Sequence, residues 1–92
     1  MGLIFEWDEK KAKSNLLKHG VSFEEASSAF GDDFSITMED PLHSEDENRL
    51  ILIGRSILQK VLVVVHVEKT ETIRIISARK ATKKEKKAYE EF

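Results

Sequence analysis

The sequence predicts an α+β fold: two amino-terminal helices packed on an antiparallel β-sheet with a carboxy-terminal helix, in the order β-α-α-β-β-β-β-α. Three observations carry this expectation. Helix-start signals stand at Asp8, at Ser22-Phe23-Glu24-Glu25 and at Thr82-Lys83-Lys84-Glu85. After Gly31 the apolar spacing switches from three and four to two. The later apolar runs are joined by connections short enough for hairpins. The 92 residues suffice for one domain with one core, residues 1–92, and leave no room for a second.

Taken in order, Leu3-Ile4-Phe5-Glu6-Trp7 has the alternation and aromatic content of a short strand. Asp8 is an N-cap, Glu9 suits the first turn, and a helix runs through Ala12 and Leu16 to a glycine stop at Gly20. In the second capping signal Ser22 covers one orphan amide and Glu25 reaches back to another. The helix it opens presents Phe23, Ala26 and Phe30 on one face. Phe34, Ile36 and Met38 then alternate with Ser35, Thr37 and Glu39 as a half-exposed strand. Residues 49–57, 60–68 and 72–78 are the remaining strands, with turns near Leu58-Gln59 and at Lys69-Thr70-Glu71. Thr82 and Glu85 open a last helix with Ala88, Tyr89 and Phe92 as its apolar positions.

Cysteine is absent, which removes disulfides, thiolate metal sites and a cysteine nucleophile, and points to a reducing, cytoplasmic setting. The longest apolar run, Val61 to Val65, is far below the roughly 20 residues of a membrane span, and the amino terminus lacks the pattern of a signal peptide. No membrane association is expected. Net charge is −2, but its distribution is uneven: residues 1–47 hold twelve acids against four lysines, and residues 48–92 hold eleven lysines and arginines against five acids. A basic half can meet a polyanion while an acidic half meets a basic partner; both can equally be solvated faces. The block Glu45-Asp46-Glu47 and the neighbouring His43 read as an exposed loop.

His66 ends the apolar run, and imidazole is the side-chain type whose unperturbed pKa lies near neutrality. With Lys69-Thr70-Glu71 as the turn, His66 pairs with Arg74 and the two share a face. A proton-transferring imidazole beside a guanidinium is what metal-free RNA cleavage needs: the 2′-hydroxyl attacks the adjacent phosphorus, one proton is accepted, another is donated, and phosphoryl charge is stabilised. The competing reading, which spacing alone favours, is a strand-end histidine bonded to a backbone carbonyl with an arginine covering the sheet edge. Residues 79–87 hold six bases and one acid, either a phosphate-attracting cluster or an ordinary solvated helix face. Arg79 is its most informative member, standing at the strand-to-helix junction. Lys18-His19-Gly20 fits a helix C-terminus, where cations and a left-handed glycine are favoured, and the pair can also reach a substrate if that helix end faces the sheet. No histidine spacing suits a metal, no glycine-rich phosphate loop is present, and no cofactor is expected.

Four separated blocks resemble the BrnT family of toxins: Phe5-Glu6-Trp7-Asp8, the stretch from Asn15 through Lys18-His19-Gly20-Val21-Ser22-Phe23 to Ala26, Asp40-Pro41-Leu42-His43-Ser44, and Arg74-Ile75-Ile76-Ser77-Ala78-Arg79-Lys80-Ala81. The resemblance implies a RelE-like toxin fold and an RNA-cleaving toxin of a type II toxin–antitoxin module that blocks translation and slows growth. It implies a BrnA-like DNA-binding antitoxin, in a complex of two toxins and two antitoxins that touches promoter DNA only through the antitoxin. On the family pattern the catalytic candidates are His66 as acid or base, Arg74 and Arg79 as phosphate clamps, and Arg49 as a third cation or an anchor for the acidic loop. The RNA-contacting candidates are Lys18, His19, Lys80, Lys83 and Lys84. The alternative is a noncatalytic RNA- or protein-binding module with the same charge split.

Overall fold

The computed structural model describes residues 3–41 and 48–91. His43, the Glu45-Asp46-Glu47 block and Phe92 lie outside them. The described chain runs β1 (Ile4–Glu6), α1 (Glu9–His19), α2 (Phe23–Ser28), a single 3-10 turn (Ala29–Gly31), β2 (Ile36–Glu39), β3 (Arg49–Arg55), β4 (Val61–Glu68), β5 (Thr72–Lys80) and α3 (Lys83–Glu91). The element order is the expected one. No helix among the described residues is long and apolar enough to cross a membrane.

The helix boundaries follow from capping chemistry. Asp8 is extended and its carboxylate accepts from the Lys10 and Lys11 amides, while Gly20 ends α1 at φ 69°, a conformation a side chain disfavours. At α2 half of the expected box is present. Ser22 Oγ accepts from the Glu25 amide at 3.0 Å, but the Glu25 carboxylate turns inward and accepts from Ser56 Oγ at 2.8 Å. Tying α2 to the end of β3 competes successfully with a local bond to Ser22. The box at α3 is complete in both directions, Thr82 N–H to Glu85 Oε1 at 2.8 Å and Glu85 N–H to Thr82 Oγ1 at 3.2 Å.

The five strands lie in the order β1-β5-β4-β3-β2. The pairs β2/β3, β3/β4 and β4/β5 are antiparallel, as hairpins must be, whereas β1 runs parallel to β5. The meander was legible from short turns. The direction of β1 was not, because both helices and three strands intervene and no turn constrains it. Phe34, expected at the start of a strand, falls just outside β2.

Helices α1 and α2 cover one face of the sheet with a core of Val21, Phe23, Ala26, Leu62, Val64, Ile75 and Ala78, against which Phe5, Trp7, Ala12 and Phe30 pack. Burial of a side chain the size of Phe23 contributes about 2–3 kcal/mol. Gly54 lets the 3-10 turn approach β3, since a Cβ there would meet the Ala29 carbonyl at 2.9 Å. On the other face α3 covers only one end, seating Tyr89 against Ile53, Val61 and Val63. The Ala88 side, expected to be apolar and inward, is exposed.

Candidate functional site

The uncovered half of the second face holds Arg74 and Arg49 in a defined register. Glu6 pairs with Arg74, Arg74 with Val67 and Val67 with Arg49, so one row crosses β1, β5, β4 and β3. Partners in a row point to the same side of the sheet. Arg74 and Arg49 therefore flank Val67 on the open face.

His66 is elsewhere. The expected three-residue turn is a two-residue one, closed by Lys69 N–H to the Thr72 carbonyl at 2.8 Å, and this slips the register by one. His66 pairs with Ile75, and Arg74 pairs with Val67. A one-residue slip moves a side chain to the other face, so the expected side-by-side pair of His66 and Arg74 does not form. His66 is 0 % exposed beneath the helices, with its ring 4.8 Å and edge-on from Phe30. Nδ1 faces the Val64 carbonyl and Nε2 faces Glu68 Oε2, each at 3.3 Å. In this position neither ring nitrogen is open to solvent.

A bulge then restores Arg79 to the face of Arg74. Val65 pairs with Ser77 but His66 with Ile75, leaving Ile76 as the extra residue of β5. Arg74 and Arg79, five apart, would otherwise point to opposite sides. Their surroundings differ. Arg74 Nη1 donates to Glu6 Oε2 at 3.2 Å, and Lys69 Nζ donates to the same oxygen at 2.9 Å. Lys69 first and Arg74 second hold the Glu6 carboxyl below its ordinary range. Arg79 is forked onto both oxygens of Glu85, at 2.7 and 2.8 Å. Its guanidinium drives the Glu85 carboxyl to about 2, and Glu85 in turn raises Arg79. That pair pins β5 to the start of α3 and competes with any phosphate for Arg79.

Lys18 and His19, which the sequence left between helix cap and substrate contact, line a cavity of about 200 Å³ between α1 and β5 together with Lys11, Ser14, Ile76 and Ser77. Ser77 points to the open face with Arg74, because Val65 and Val67, their partners, are two apart. The cavity thus opens at the edge of the arginine face. Its floor is Asn15, 7 % exposed, for which the sequence alone suggests no role. Asn15 Nδ2 donates to the Val21 carbonyl at 3.0 Å and the Ala78 carbonyl at 2.7 Å, and its Oδ1 accepts from the Ala78 amide at 3.1 Å. It acts as a one-residue strand partner for β5 beyond the end of β1. The only hint in the sequence was an amide at a position facing the core, four residues after Lys11.

Of the remaining candidates, Lys80 is exposed at the end of β5 on the side of Leu62, the face opposite Arg79, and Lys83 and Lys84 are exposed in the first turn of α3. Among the described residues no group of three or more His, Asp or Glu side chains could hold a metal ion.

Comparison with known proteins agrees with this architecture. The crystal structure of the Brucella abortus ribonuclease toxin BrnT superposes with a TM-score of 0.68 at 21 % identity, over 89 % of this chain and 100 % of that one. No curated protein sequence matches the chain. The profile described as "Ribonuclease toxin, BrnT, of type II toxin-antitoxin system" matches residues 7–85. That span takes in α1, α2, every strand after β1 and the Arg79–Glu85 pair, and the chain accordingly belongs to the BrnT family of ribonuclease toxins of type II toxin–antitoxin systems.

Proposed function

We propose that the chain is a metal-independent RNA endonuclease whose cleaving site is the edge where the α1–β5 cavity meets the open face of the sheet. The observation that carries this reading is the cavity itself, where Lys11, Lys18 and His19 of α1 line one space with Ser77, on the face of Arg74. His19 takes the proton-transfer role, because His66 is sealed under Phe30. Arg74, its guanidinium shared with Glu6 through one nitrogen, exchanges that carboxylate for a phosphate oxygen, and Lys18 and Lys11 add charge. Arg49, in the same row, is the next cation along the face. Each positioned charge is worth about 2–4 kcal/mol at the transition state, and proton transfer about 10²–10⁴ in rate.

RNA incubated with the purified protein in EDTA is expected to be cut. His19→Gln and Arg74→Ala should each lower kcat/KM by about 10²-fold or more. Undiminished cleavage by both variants would remove them from the site. In cells the reading extends to cytoplasmic RNA, blocked translation and growth arrest, relieved by a BrnA-like DNA-binding antitoxin that covers the basic face. Two toxins and two antitoxins would then occupy promoter DNA through the antitoxin.

A second reading is a noncatalytic RNA-binding module, favoured by the burial of His66 and the locking of Arg79 by Glu85. Growth arrest without any RNA scission, lost on neutralising Lys80, Lys83 and Lys84, would select it.

A further inference from the structure

At the end of the second sheet face that α3 covers, three segments converge on one carboxylate. Asp32, just past the 3-10 turn, accepts the Phe34 amide through Oδ1 at 2.9 Å and the Arg55 amide through Oδ2 at 2.8 Å. The Tyr89 hydroxyl of α3 donates to the same Oδ2. Burial opposes charge on Asp32, but the Tyr89 hydroxyl and the Arg55 and Phe34 amides outweigh it and hold the carboxyl below its ordinary range. The Arg55 guanidinium lies 5.8 Å from the centre of the Tyr89 ring and also donates to the Gln59 carbonyl.

Phe34, Arg55, Tyr89 and Glu90 line an open cavity of about 360 Å³. Phe34 is 78 % exposed, so the fold gains little from it, yet its backbone is fixed by Asp32. A phenyl ring in water beside a guanidinium and a carboxylate, with the backbones of Phe34 and Arg55 and the hydroxyl of Tyr89, the neighbour of Glu90, tied to the half-buried Asp32, has the composition of a stacking platform for a flat ligand that carries hydrogen-bond donors. RNA bases are recognised in this way, by stacking on aromatic rings and guanidinium planes and by hydrogen bonds to their edges.

We propose that this cavity receives one unpaired nucleobase of the RNA substrate, stacked on Phe34 with Arg55 against it and with Glu90 accepting from a base amino group. The proposal rests on the RNA-cleaving reading and extends it to a subsite away from the scissile phosphate. Arg49 and Arg55 stand at opposite ends of β3, six residues and roughly 20 Å apart. A substrate that fills both must be single-stranded and several nucleotides long.

The test uses the full chain and a short single-stranded RNA that is 2′-O-methylated throughout and so cannot be cut. Its affinity, read by fluorescence anisotropy, is expected to fall about 5- to 100-fold in Phe34→Ala and to persist in Phe34→Trp. Cleavage of a dinucleotide, too short to reach the cavity, is expected to be unchanged in both. An abasic version of the same RNA should bind wild type and Phe34→Ala alike. Equal affinity of wild type and Phe34→Ala for the intact RNA, with wild type still cutting RNA, would overturn the subsite and leave the nuclease standing. Wild type that neither binds nor cuts RNA would overturn both. Loss of antitoxin binding in Phe34→Ala with RNA affinity intact would overturn the subsite in favour of a protein partner.

Discussion

The two faces of the sheet use their polar side chains in opposite ways. On the helix-covered face, His66 and Asn15 are sealed and bonded to the backbone, His66 at Val64 and Asn15 at Val21 and Ala78. On the open face Arg74 is half-buried and shares a single carboxylate oxygen with Lys69. Arg79, on that same face, is intermediate: its fork to Glu85 is a strut between β5 and α3. Polar groups that satisfy buried backbone cannot be released without loss of fold, whereas a surface pair trades one acceptor for another at little cost.

This contrast makes graded predictions. The largest stability effect is expected at His66. His66→Ala empties a fully buried ring site next to Phe30 and should cost about 2–4 kcal/mol, seen as a lower urea midpoint with unchanged slope. Loss of RNA cleavage in a His66 variant that retains the wild-type midpoint would break the assignment of that face to structure alone.

Asn15→Ala comes next, at about 1–3 kcal/mol, because it strips partners from the amide and carbonyl of Ala78. It should also impair cleavage more than its stability loss accounts for, since α1 carries Lys18 and His19 into the cavity. A variant stable to within a few tenths of a kcal/mol would show that water or α1 packing replaces the hook.

The Arg79–Glu85 pair is worth less, about 1 kcal/mol once the exposure of Arg79 is allowed for. Its pH dependence has a definite sign. The folded carboxyl, near 2, lies below its ordinary value of 4.5, so the stabilisation is complete above pH 4.5 and is lost as pH falls from there through about 2. Urea midpoints of wild type and Glu85→Gln should therefore differ at neutral pH and converge in that acid window. The same variant releases Arg79 and should steepen the salt dependence of RNA binding by about one counterion. Unaltered RNA binding would show that Arg79 is a strut and nothing more.

Arg74→Ala should change stability least, by under about 0.5 kcal/mol, while reducing the salt slope of RNA binding by about one. A large destabilisation would place Arg74 with the structural residues and erase the contrast between the faces.

Much of this organisation was legible in the residues. Asp8, Gly20, Ser22 and the Thr82/Glu85 box mark helix ends because capping is settled within four residues of chain. The period-two runs and short turns gave the antiparallel strands, and the fourfold block match gave the family. Lys18 and His19 were named as candidates, though only the packing of α1 on β5 decides that they line a cavity.

The sequence by itself determined the order of the elements and where the helices start, because capping, glycine conformation and hydrophobic period are local properties. Only the tertiary structure decided which side each candidate faces. That depends on a turn one residue shorter than the spacing suggested, and on a bulge at Ile76 five residues later. Side chains on a strand alternate, so a one-residue change reverses the outcome: His66 goes into the core, and Arg74 and Arg79 share the opposite face. Nothing in composition or periodicity is sensitive to a shift that small.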